Sequence, residues 1–194
     1  YAAKQSAETY KRYDSSLDKD SFDRLELSHS LRTAVEDDQL VLHYQPLINL
    51  ITGELDSVEA LVRWKHPYRG IIYPDSFIPL AEQTYNIGIF SRWVIKRTIQ
   101  QLRDWHKRGF KISVSVNISA HDLTDSSLSE FISAELETVE LSPSFMTLEV
   151  TESALMQHTA DTLDNLWCAR RRAPCASSKS ISMTSVQGFL RCNI

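Results

Sequence analysis

Side chains alternate across a strand, so in Leu55-Asp56-Ser57-Val58-Glu59-Ala60-Leu61-Val62-Arg63-Trp64 a carboxylate and a guanidinium share one face. Glu59, Leu61 and Arg63 point one way, and Val58, Ala60, Val62 and Trp64 point the other. A carboxylate in mid-strand with an apolar back needs a partner, because burying it alone costs several kcal/mol or raises its pKa. That partner is an arginine, a metal, or both. The same parity recurs in three further segments. His43 and Gln45 share a face, as do Ser113, Ser115 and Asn117, and as do Thr147, Glu149 and Thr151. One reading is a sheet with a wet polar front. The other is a site, and Glu59, Asn117 and Glu149 favour it, because they are oxygen donors of the kind hard cations take. Converging carboxylates repel unless a divalent cation sits between them, so metal binding is the preferred reading.

Strands and helices must deliver these groups. Phe22, Leu25, Leu27, Leu31 and Val35 recur at helical spacing and predict a helix over 21–36. Strands are expected over 40–46 and 55–64, joined through Thr52-Gly53 as a hairpin. His66-Pro67-Tyr68-Arg69-Gly70 breaks the chain before a short helix over 75–82. An amphipathic helix follows over 90–109, with Val94, Ile95, Ile99, Leu102 and Trp105 on its apolar face and Trp93 outside it. A strand over 111–118, a helix over 126–136, a strand over 145–151 and a helix over 154–166 complete the pattern. This rhythm predicts an α/β architecture with parallel strands under helices, either a barrel or an open sheet. Four strands are convincing, whereas a closed barrel of this type takes about eight strands and roughly 200 residues or more. The chain reads as about the first half of an incomplete TIM-type barrel.

Composition bounds the class. With 194 residues, 42% hydrophobic and 24% charged, the chain falls in the range of one globular domain. No apolar run approaches the roughly 20 residues that span a bilayer, and no signal peptide is evident, so the chain reads as soluble and cytoplasmic. It starts with Tyr1 rather than Met and is read as a fragment. The net charge of -4 conceals an asymmetry: five of the 21 basic residues and none of the 25 acidic ones follow Trp167. Cys168, Cys175 and Cys192 also lie in that tail, in a spacing that matches no zinc pattern.

Six motifs in order carry a family resemblance: His43-Tyr44-Gln45-Pro46, Glu59-Ala60-Leu61-Val62-Arg63-Trp64, His66-Pro67 with Gly70, Pro74 with Phe77-Ile78-Pro79-Leu80-Ala81-Glu82, Ser115-Val116-Asn117-Ile118-Ser119, and Leu148-Glu149-Val150-Thr151-Glu152-Ser153. Together they resemble the EAL-domain phosphodiesterases of cyclic di-GMP signalling. The resemblance implies a (β/α) barrel with one early antiparallel strand and one or two Mg²⁺ or Mn²⁺ ions. Glu59, Asn117 and Glu149 would ligate metal, Gln45 and Arg63 would hold phosphate and sugar, Leu61 would pack beside the ligand, and Glu152 would brace a neighbouring loop. The implied reaction is metal-assisted attack of water on phosphorus, opening cyclic di-GMP to linear pGpG. A homodimer through the EAL domain and a membrane-attached parent polypeptide are compatible with it. Tyr1-Ala2-Ala3-Lys4, Tyr10 and Tyr13-Asp14 resemble the end of a GGDEF diguanylate cyclase domain, so 1–20 is read as its remnant and linker, and 21–167 as the first part of the EAL domain.

The pattern departs from the family over 168–194. The expected Asp-Asp-Phe-Gly-Thr-Gly motif, a catalytic lysine, a further glutamate and a late glutamine are absent, and Lys179 sits in no matching motif. Read in a shifted frame, 181–194 can be back-translated to spell that motif, so a frame slip near Trp167 is expected, with no further strand in the tail. Two functions follow: an inactive fragment of a phosphodiesterase, or a non-catalytic module that binds cyclic di-GMP or a protein. Nucleic-acid binding rests only on Arg170-Arg171-Arg172 and is not expected. His66 reads as a turn residue, and His106 and His121 as surface residues. Trp93 and Trp105 read as packing residues.

Overall fold

The computed structural model describes residues 15–84, 87–151, 185–186 and 189–193. The upstream segment 1–14, Glu152 and the expected helix over 154–166 lie outside them. Elements follow in the order α1 (Ser15–Glu36), β1 (Leu40–Ile48), β2 (Leu55–His66), β3 (Gly70–Ile72), α2 (Pro74–Gln83), α3 (Ile87–Lys107), β4 (Ser113–Asn117), α4 (Leu128–Thr138), β5 (Met146–Thr151), β6 (Ser185–Val186) and β7 (Phe189–Asn193). One mixed sheet runs β1-β2-β4-β5-β7-β6, with β3 also on β2. The pairs β2–β4 and β4–β5 are parallel, and β1 is antiparallel to β2, as expected for the early strand.

Hydrophobic alternation sets which face of this sheet is covered. The register aligns Val58, Val114 and Met146 in one row and Ala60, Val116 and Leu148 in the next, all buried. The helices cover these rows. Ile95, Ile99 and Leu102 of α3 are fully buried at three- and four-residue spacing, as are Leu31 and Ala34 of α1. Trp64 closes the opposite end of the core: its indole N–H donates to Gln39 Oε1 at 3.1 Å, and Phe77 packs edge-on against it at 5.8 Å. Burying a side chain of this class contributes about 1.5–3 kcal/mol. Trp64 also fixes its neighbour Arg63 on the other face of β2.

Three helices stop by the same device. After α1, α3 and α4 one residue turns left-handed, Asp38 (φ 54), Gly109 (φ 91) and Glu140 (φ 56). The next N–H then reaches back five residues to a helix carbonyl, Gln39 to Ala34, Phe110 to Trp105 and Leu141 to Leu136. Only Gly109 carries no Cβ to crowd the following carbonyl. A second device joins α3 to the turn after β4. Ser119 N–H and Asp122 Oδ2 (2.8 Å) exchange hydrogen bonds with Asp122 N–H and Ser119 Oγ (3.2 Å), and Ser91 Oγ on α3 donates to the same Oδ2 at 2.7 Å. Burial pushes the Asp122 carboxyl up, against the opposing pull of these donors.

Several boundaries differ from the sequence reading. The segment 15–20, read as a connector, is the first part of α1, and β3 is an additional short strand. His106, read as a surface residue, is half-buried and packs ring-to-ring against Phe145, whereas Trp93 packs against the core as a packing residue should, although the sequence reading places it outside the apolar face. His66 is buried beneath the Trp64 ring rather than sitting in an open turn. Contrary to the expectation for the tail, β6 and β7 form a hairpin, and β7 pairs antiparallel with β5 from Thr147↔Asn193 to Thr151↔Phe189. Without β7 that side of β5 would be a bare strand edge, and an extended segment that reaches it gains a ladder.

Two outcomes are expected. Glu140→Gly removes the left-handed strain at an exposed position and raises the unfolding free energy by about 0.5–1 kcal/mol in denaturant titration. Asp122 holds its proton more tightly folded than unfolded, so its contribution is full in acid and lost as pH rises through the folded pKa. The stability of the native chain relative to Asp122→Asn therefore falls as pH rises above the ordinary carboxyl range, about pH 4, and a flat difference contradicts the burial argument.

Candidate functional site

The parallel register that buries the apolar rows also aligns the polar ones. Gln45, Glu59, Ser115 and Thr147 stand opposite one another across β1, β2, β4 and β5. Two residues further along the parallel strands, Asn117 stands opposite Glu149. Asn117 Nδ2 donates to Glu59 Oε1 at 2.7 Å, a short bond to a carboxylate. Gln45 and Asn117 are exposed and Glu59 is half-buried, but Glu149 keeps only 5% exposure. The structure therefore brings Gln45, Glu59, Asn117 and Glu149 onto one face at the C-terminal ends of β4 and β5.

Arg63 does not join them. It lies four residues beyond Glu59, roughly 13 Å along the strand, past the end of the parallel ladder. Of the partners open to Glu59, an arginine, a metal, or both, Arg63 is out of reach, and the Asn117 amide makes the hydrogen bond instead. The Arg63 guanidinium donates from Nη1 to Val62 O at 2.8 Å and lies 4.9 Å from the Tyr73 ring centre. Leu61 stands between Glu59 and Arg63 on the same face, half-buried and opposite His43. The site is elongated, with oxygen donors at one end and a cation at the other.

The donor chemistry fits a hard divalent cation. Glu59, Asn117 and Glu149 offer oxygens from adjacent strands, and the buried Ser115 Oγ on the same face has no hydrogen-bond partner among the described residues. These side chains supply about half of the roughly six positions that Mg²⁺ takes, leaving the others to water, ligand or further residues. Among the described residues no cluster of three His, Cys, Asp or Glu side chains forms, because the third donor here is an amide.

The sequence reading missed the Ser91–Asp122–Ser119 lock that fixes the backbone just after Asn117. Its signal was present, since Ser119-Ala120-His121-Asp122 has the Ser-x-x-acid spacing of a reciprocal cap. Beside it Arg92 bridges Asp125 and Ser127, and the Ser127 hydroxyl first and that guanidinium second hold the Asp125 carboxyl low. On the helix-covered side of β1, burial pushes Tyr44 up to about 12 while the Arg97 charge opposes it.

Comparison with known proteins agrees with this geometry. Residues 28–173 match the sequence signature of the EAL domain. The chain is 43% identical over 140 residues to the cyclic di-GMP phosphodiesterase NbdA of Pseudomonas aeruginosa, covering 72% of this chain and 18% of that protein. It is 41% identical over 137 residues to the cyclic di-GMP phosphodiesterase PdeR of Escherichia coli, covering 71% and 21%. Among solved structures, the phosphodiesterase PaMucR in complex with c-di-GMP superposes with a TM-score of 0.71 at 38% identity, covering 76% of this chain and 60% of that one. The EAL enzyme Bd1971, bound to cAMP and cyclic di-GMP, gives 0.70 at 26% identity, covering 78% and 42%. The chain thus spans about a fifth of the length of the curated relatives it matches. Its open mixed sheet is an incomplete TIM-type barrel, and with the polar row in register across β2, β4 and β5 the chain belongs to the EAL domain family.

Proposed function

We propose that this chain binds cyclic di-GMP together with Mg²⁺ or Mn²⁺ on the polar face of its sheet, as part of a cytoplasmic phosphodiesterase that opens the cyclic dinucleotide to linear pGpG. The observation that carries this reading is the Glu59–Asn117 contact at 2.7 Å with Glu149 in register beside it. Relatives named as cyclic di-GMP phosphodiesterases and neighbours solved with that ligand support the substrate class.

Glu59, Asn117 and Glu149 would hold the cation, which when bound neutralises phosphate charge and makes water acidic enough to attack phosphorus. The chain's own residues do the rest. Arg63, at the far end, keeps N–H donors available for a phosphate oxygen, since one of its five faces the Val62 carbonyl. Gln45, exposed and opposite Glu59, presents an amide to phosphate or sugar. Leu61 supplies an apolar contact between these two ends. Glu152 is assigned to bracing the loop after β5. Turnover needs a group to accept the proton of the attacking water. The segment after Trp167 contains no Asp or Glu to serve, so binding without hydrolysis is proposed for this chain.

Titration calorimetry with cyclic di-GMP in Mg²⁺ or Mn²⁺ is expected to show binding by the folded chain and no linear dinucleotide by chromatography. Glu59→Gln is expected to abolish the cation dependence. Arg63→Ala is expected to weaken binding roughly 10- to 100-fold, the scale of hydrogen bonds to a charged group. Absence of heat from a folded chain contradicts the binding reading, and appearance of linear product contradicts the proposed lack of turnover.

A further inference from the structure

The antiparallel pair β2–β3 places an aromatic ring beside the arginine of the proposed site. Its register runs His66↔Gly70, Lys65↔Ile71 and Trp64↔Ile72, so the next step brings Arg63 opposite Tyr73. The side chains of such opposed residues reach one another. The Arg63 Cζ lies 4.9 Å from the Tyr73 ring centre, within cation–π range, while Arg63 Nη1 donates to the Val62 carbonyl at 2.8 Å.

Two neighbours hold Tyr73 itself. On one side Ile72 pairs with Trp64, which is fully buried. On the other, Pro74 opens α2 and Phe77, one turn on, is fully buried in the core. The Tyr73 backbone is thus anchored by the core at both sides, while the residue stays 60% exposed. A long arginine side chain beyond the end of the parallel ladder has many rotamers open to it, and a planar ring on a fixed backbone limits them.

We propose that Tyr73 is a positioning residue for Arg63: its ring and the Val62 carbonyl together hold the guanidinium in one orientation, with its remaining N–H groups ready for a phosphate oxygen of the ligand. This inference rests on the assignment of Arg63 to phosphate binding. Its energetic effect is the ordering of Arg63 before the ligand arrives, so Tyr73 acts through the guanidinium and has no effect of its own on affinity. The requirement is for an aromatic face, since the phenol hydroxyl makes no hydrogen bond among the described residues.

The test compares the native chain, Tyr73→Phe, Tyr73→Leu, Arg63→Ala and the Arg63→Ala/Tyr73→Leu double variant. In the ligand-free state, the Arg63 side-chain proton resonances are expected to be shifted by the ring current in the native and Tyr73→Phe chains and to lose that shift in Tyr73→Leu. In calorimetric titration with cyclic di-GMP, Tyr73→Phe is expected to bind as the native chain does, and Tyr73→Leu roughly two- to five-fold more weakly. In the Arg63→Ala background Tyr73→Leu is expected to change nothing further. Unshifted Arg63 resonances in the native chain overturn the proposal, as does a Tyr73→Leu loss of equal size with and without Arg63. A native chain that shows the ring-current shift but binds no cyclic di-GMP counts against the proposed function alone.

Discussion

The parallel pairing of β2, β4 and β5 is the constraint on which both the core and the site depend. Because side chains alternate with a period of two, a single register decides both faces at once. With Val58, Val114 and Met146 aligned in the core, Glu59, Ser115 and Thr147 must align on the front, and Asn117 must stand beside Glu149. A slip of one residue would bury Glu59 and expose Val58 and Ala60. The hydrophobic effect therefore sets the position of the oxygen donors, although none of them contributes to it.

The elements around this ladder refine what it fixes. Trp64, buried against Phe77 and hydrogen-bonded to Gln39, anchors β2 beyond the parallel region, where Arg63 projects from the opposite face. The Ser91–Asp122–Ser119 lock ties the backbone after Asn117 to the first turns of α3. Breaking such a lock leaves buried polar groups unsatisfied, at about 1–3 kcal/mol each. The Asn117–Glu59 contact thus stands on a strand end held from two sides.

Much of this was legible in the residues. Strict alternation over Ser113–Asn117 and Met146–Thr151 announced both strands and their faces, and the antiparallel β1 followed from the hairpin at Thr52-Gly53. What parity could not supply was distance along the strand. Glu59 and Arg63 share a face, yet the parallel ladder ends between them, so the arginine alternative for the partner of Glu59 fails and the Asn117 amide makes the contact. The Arg63–Tyr73 contact depends on β3, whose three residues are too few to show a period. The tail hairpin was illegible for another reason: β7 forms on the open edge of β5, a tertiary cause that local pattern does not carry. Glu152 and the segment 154–166 lie outside the described residues.

Whether one register gathers Glu59, Asn117 and Glu149 to hold a divalent cation is decided by anomalous diffraction from crystals of this chain grown with Mn²⁺. A single anomalous peak is expected within coordination distance of oxygens from all three side chains. Ordered density for the three side chains with the manganese elsewhere, or absent, would contradict it.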